Sequence, residues 1–113
     1  MATLENFKSE SQLTAAAATV INTNSSETKF IGKATFTNTS ASAIEVTVWR
    51  LATATTATTG SGGNWLDKRT IQAGKVWECD RLLGHLLGNS MQVRAVAGTA
   101  DVINADLSGV TEP

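Results

Sequence analysis

In the stretch TKFIGKATFTN, Phe30, Gly32, Ala34 and Phe36 alternate with Lys29, Ile31, Lys33, Thr35 and Thr37. That is the period of a half-buried strand, and it predicts an inward face running from Phe30 to Phe36. A turn of small polar residues follows, Asn38 to Ala43, and IEVTVWRL then resumes the alternation with Ile44, Val46 and Val48 opposite Glu45 and Thr47. Together the two segments predict an antiparallel hairpin. Trp49 and Leu51 fall on the formerly polar face, which suggests a bulge or a surface covered by a neighbour near the strand's end.

Further along, WLDKRTI and KVWECD flank Gln72 to Lys75, where Gly74 can take the positive φ of a tight turn, so a second hairpin is predicted there. RLLGHLLGNS has leucines at helical spacing, but Gly84 and Gly88 weaken any helix, and a short strand or a turn of helix leading into the Gly88–Ser90 turn is expected. MQVRAVA alternates with Met91, Val93, Ala95 and Ala97 inward, and DVINADLSGV predicts a last strand beyond the Gly98-Thr99 turn. In LTAAAATVIN the alanines favour helix and the β-branched residues favour strand; its second half is read as a strand. Seven or eight short strands separated by turns predict an all-β chain, an antiparallel β-sandwich or jelly roll. An immunoglobulin-type sandwich fits less well, because the chain has one cysteine and no tyrosine.

A length of 113 residues fits one domain. The segment 1–13 reads as a polar N-terminal arm and 14–113 as the sandwich. The formal charge is −1 and the Lys and Arg residues are scattered. No run of them could neutralise consecutive phosphates, so nucleic acid is not an expected partner. Cys79 is the only cysteine, which excludes an internal disulfide and a cysteine-rich zinc site. The N-terminus MATLENFKSESQL lacks the apolar core of a signal peptide, and no apolar run is long enough to span a membrane as a helix, so no membrane partner is expected. Asn24 and Asn38 head two glycosylation sequons, read as chance in a chain rich in Asn, Ser and Thr.

Candidate chemistry is sparse. Cys79, Asp80 and His85 lie close together, but in a strand KVWEC the cysteine shares a face with Trp77 and reads as core, while a lone histidine supplies one zinc ligand of four. Asp101 and Asp106 are an odd number of positions apart and point to opposite faces of a regular strand, so they do not make an acid and base pair. The glycines in GSGGN, Gly60 to Asn64, are followed by a strand and lack the lysine that a phosphate loop needs. No catalytic residue, metal or cofactor is therefore assigned, and the chain is expected not to be an enzyme.

The three tryptophans carry more information. Each can bury on the order of 200 Å², worth about 3 kcal/mol or more, so each belongs in a core or an interface. Trp77 reads as core. Trp49 and Trp65 read as interface anchors, together with Thr55, Thr58 and Asn64 in the loop from Thr53 to Asn64, and with Phe7 in the N-terminal arm. Exposed Trp49 and Trp65 would also suit a carbohydrate-binding module, with Asn64, Asp67 or Arg69 bonding sugar hydroxyls.

The turn Asn38 to Ala43, the Gly/Ser/Thr-rich loop Ala52 to Gly63, the Ile71 to Lys75 turn, the apolar Leu82 to Leu87, the Gly88 to Ser90 turn into Gln92 to Ala95, and the closing Gly109-Val110 form a pattern. It resembles small tailed-bacteriophage virion proteins. The resemblance implies a β-sandwich subunit that decorates or cements a capsid, or sits at the neck or tail. Its partners would be copies of itself, a trimer being expected, and major capsid or neck and tail proteins. Its location would be the virion, assembled in the host cytoplasm. Trp49-Arg50 departs from the pattern, where small or aliphatic residues would be expected.

Overall fold

The computed structural model describes residues 4–52 and 66–112. Among them are nine strands and no helix: β1 (Glu5–Gln12), β2 (Ala18–Asn22), β3 (Thr28–Asn38), β4 (Ile44–Ala52), β5 (Asp67–Ile71), β6 (Val76–Glu78), β7 (Leu86–Leu87), β8 (Met91–Ala97) and β9 (Ile103–Glu112). They form two antiparallel sheets. One runs β1-β9-β3-β6, with β7 also on β3; the other runs β2-β8-β4-β5. The inner faces supply one core that includes Phe36, Val46, Val48, Trp77, Val93, Ile103 and Leu107, with Leu82 of the β6–β7 turn packed into it. If β6 and β7 are taken as one interrupted strand, this order is that of a double-sheet jelly roll.

The strands that alternation predicts are present, but their pairing differs. β3 and β4 lie in opposite sheets, and so do β5 and β6, so neither expected hairpin forms. Alternation marks which face is apolar, and two apolar faces are buried equally well across the sandwich as side by side. Both turns are inter-sheet corners, and Gly74 does take the positive φ expected of it, 73°. Of consecutive strands, β4 and β5 do share a ladder, from Ile44↔Ile71 to Val48↔Asp67.

One buried side chain ties the two corners together. Asn38, 0% exposed, donates from Nδ2 to Ser42 O at 2.7 Å and to Ile71 O at 2.9 Å. Its Oδ1 accepts from Ser40 N at 2.9 Å and Ser40 Oγ at 2.7 Å. Its backbone adds bonds from its N–H to Lys75 O and from Gly74 N–H to its carbonyl. Every polar atom of the amide is thus used, as burial demands. At the other end of the sandwich Thr23, also buried, has its hydroxyl 2.7 Å from Gly88 O and 2.8 Å from Met91 O, either of which its one hydrogen can reach, and accepts from Met91 N.

β3 corrects the expected inward face. Its register on β9 shifts between Ile31 and Lys33, so Gly32 is an extra residue and the parity changes there. Ile31 points inward at 1% exposure and Phe30 outward at 43%. Beyond the bulge Ala34 and Phe36 are inward as expected. Gly109 faces this irregularity: a Cβ there would run into the Phe30 carbonyl and lie 2.8 Å from the Phe7 ring. Only glycine fits that close approach of two backbones.

The segment read as an N-terminal arm is mostly β1, paired with β9 from Glu5↔Thr111 to Gln12↔Asn104. Its alternation is faint because β1 lies at a sheet edge with most of its side chains exposed. RLLGHLLGNS resolves into a turn, with Gly84 at φ 78°, and the two-residue β7. Leu82 and Leu87 fill the core while Leu83 and Leu86 remain exposed.

Candidate functional site

The groups weighed as candidate chemistry sit apart in function and surroundings. Cys79 is fully buried in the core, and burial pushes its thiol up to about 11. A thiolate nucleophile requires the opposite shift. His85 sits in the turn beside it, its N–H donating to Leu82 O and its carbonyl accepting from Ile31 N. Asp101 occupies a corner at φ 65°, whereas Asp106 lies on β9, paired with Glu10 and Thr35. Among the described residues no cluster of His, Cys, Asp or Glu could hold a metal ion.

The tryptophans divide differently from expectation. Trp77 is core, its ring 5.4 Å from that of Phe36, with the Arg69 guanidinium 5.6 Å over its face. Trp49 is not offered to a partner: it is 1% exposed, packed with Leu51, Ala17 and Val96 on the outer side of the second sheet. No bulge interrupts β4 against β8 there. The chain itself covers the surface that the sequence left open. Trp49 Nε1 is buried and has no hydrogen-bond partner among the described residues. Trp65, Thr55, Thr58 and Asn64, with the loop they belong to, lie outside the described residues. Phe7 is half-buried over Gly109, with Lys29 Nζ 5.8 Å from its ring.

What the molecule does present is the outer face of the first sheet, and the register sorts its side chains into rows. Near one end Asp106 of β9 stands between Glu10 of β1 and Thr35 of β3, and Thr35 pairs in turn with Glu78 of β6. This acidic row borders a shallow trough of about 440 Å³, whose lining includes Gln12, Thr37 and Asn104. The next row is basic, with Lys8 and Lys33 either side of Ser108. Lys8 Nζ and Glu10 Oε1 are 2.6 Å apart. Their hydrogen bond holds the Glu10 carboxyl below its usual range and the Lys8 ammonium above its own.

Toward the other end the face becomes apolar. Phe30 pairs with Val110 on one side and Leu86 on the other, and Phe30 and Leu86 are 43% and 44% exposed. Sequence reasoning missed this row because it placed Phe30 inward. The one available signal was Gly32, a glycine within a strand, which marks a bulge and so a change of face.

No protein-family model matches the chain, and no curated protein sequence matches it. Among solved structures it is similar to one described as "Bacillus endospore appendages form a novel family of disulfide-linked pili", at 12% identity over 97% of this chain and 85% of that one, with a TM-score of 0.48. It is similar also to a chain of the cyanophage Pam1 capsid asymmetric unit, at 15% identity over 97% and 84%, with a TM-score of 0.37. A third likeness is to infectious bursal disease virus, Gx strain, at 12% identity over 98% of this chain and 32% of that one, with a TM-score of 0.39. At these identities and scores the likenesses decide nothing about role, and the jelly-roll order above stands on the strand pairings alone.

Proposed function

We propose that this chain is a structural subunit of a bacteriophage virion, most specifically a capsid decoration or cement protein, and not an enzyme. The observation that carries the reading is the apolar row Phe30, Leu86 and Val110, set on the outer face of a sheet that is otherwise charged and polar. Large apolar side chains left in water on a folded sheet are a surface for protein contact. In this reading the row docks against the capsid shell. Two further observations support this. The jelly-roll order is one that capsid proteins use, although a fold alone does not fix a role, and the chain's turn pattern resembles small virion proteins. Many such contacts, repeated by the symmetry of a shell, stabilise it without any single strong interface.

Purified protein mixed with particles that lack it should co-sediment with them to a saturating, symmetry-related stoichiometry. Phe30→Ser should abolish that while leaving the subunit folded. Binding confined to necks or tails would move the subunit along the particle, and no binding to any part would refute the proposal. Burial of Trp49 removes one of the two stacking platforms that the carbohydrate reading required.

A further inference from the structure

The open edges of the two sheets are not alike. β5 is short and begins Asp67-Lys68-Arg69. β2 carries a bulge between Thr19 and Ile21, and the edge formed by β6 and β7 is broken by the turn at Asp80 to Gly84. Shortness, charge, bulges and breaks are what prevent sheets from joining edge to edge. β1 lacks all but the charges. Its eight residues pair with β9 in unbroken register, it contains no proline, and among the described residues β9 is its one strand partner. Its far side presents the backbone N–H and C=O groups of alternate residues.

We propose that this edge is a self-association site, at which β1 of one copy pairs antiparallel with β1 of a second copy about a two-fold axis at Ser9. In such a contact outer-face residues must meet outer-face residues, so the axis passes through a residue and not between two. An axis at Lys8 sets Lys8 against Lys8, and one at Glu10 sets Glu10 against Glu10. The axis at Ser9 sets Lys8 against Glu10 of the second copy twice over, with Asn6 against Gln12 and Phe7 against Ser11. Axes nearer either end shorten the overlap. Opposite charges directly across a ladder stabilise it and like charges destabilise it, so the charges of β1 select one register and reject its neighbours. Lys8 and Glu10 are both on the exposed outer face, with side chains 65% and 62% accessible, free to exchange their bond within the strand for one across the axis. Phe7, expected from the sequence to lie in an interface, would gain Ser11 of the second copy as a neighbour. The contact is two-fold, unlike the expected trimer, and it stands on the strand edge without reference to the virion role.

Sedimentation equilibrium tests it with charge-swapped variants. The wild type should dimerise with concentration. Lys8→Glu and Glu10→Lys should each weaken dimerisation about tenfold or more, while circular dichroism shows both folded. Mixing the two variants should restore association as a heterodimer, because each changed charge then meets its opposite. A wild type that stays monomeric to about 1 mM, variants that associate like the wild type, or a mixture without heterodimer would each overturn the proposal. Cysteine trapping checks the register. Oxidation should link Lys8→Cys to Glu10→Cys in a mixture and leave Lys8→Cys alone unlinked, whereas Lys8→Cys linking to itself would place the axis elsewhere and overturn it.

Discussion

Asn38→Ala should be among the most damaging single substitutions in the chain. The amide is fully buried and makes four hydrogen bonds, of which the one to Ile71 O lies in the interior and the others at the rim of the corners. Leaving the Ile71 carbonyl without a donor costs about 1–3 kcal/mol, and each rim bond, which water can partly replace, about 0.5–1 kcal/mol. The expected loss is about 3–5 kcal/mol, a large share of the 5–15 kcal/mol typical of a domain. In urea unfolding the midpoint should fall with little change in slope, and the thermal midpoint should drop by about 10–25 °C. Asn38→Asp separates shape from bonding. It keeps an acceptor for Ser40 but turns an oxygen toward two carbonyl oxygens. Burial then disfavours the charged form, so the native state binds the proton more tightly than the unfolded one. The variant should lose stability as pH rises through the carboxyl range and regain it on acidification. A loss below about 1 kcal/mol in Asn38→Ala would refute the claim that this side chain holds the two corners together.

Other consequences are as direct. Gly109→Ala should destabilise by about 2–4 kcal/mol or prevent folding, because the obstructing atoms include the Phe30 backbone; chemical denaturation reads the difference. Phe30→Ser and Leu86→Ser, at positions more than half buried, should each cost about 1–2 kcal/mol of stability, leaving the subunit folded while removing particle binding. Cys79 should resist alkylation at neutral pH until the protein is unfolded, as followed with a chromogenic thiol reagent. Its native thiol titrates near 11, above its ordinary 9.0. The stability this contributes is therefore complete below pH 9 and should be lost as pH rises through 11, an effect on the order of 2–3 kcal/mol that Cys79→Ala abolishes.

The strands were legible in the sequence because a half-buried strand writes its burial as alternation, and Ile44, Val46 and Val48 or Val93, Ala95 and Ala97 could be assigned to the interior directly. Pairing was not legible. Asn38 to Ala43 and Gln72 to Lys75 have the composition of hairpin turns, yet both cross between sheets, and what directs them is a buried amide whose partners, Ser42 and Ile71, lie at different distances along the chain. Face assignment failed where parity failed, at Gly32, and that error hid Phe30 and the apolar row. Trp49 misled for another reason. Alternation puts it on the outer side of β4, where it lies, but what covers it is Ala17 and Val96, from segments remote in sequence. Contacts of that kind depend on topology and leave no local trace.

The most direct test of the virion reading is a reconstruction of particles assembled in the presence of this chain. Symmetry-related density is expected on the head surface, fitted by the jelly roll with Phe30, Leu86 and Val110 turned toward the shell. Particles containing no copy of the chain, or copies whose apolar row faces solvent, would contradict it.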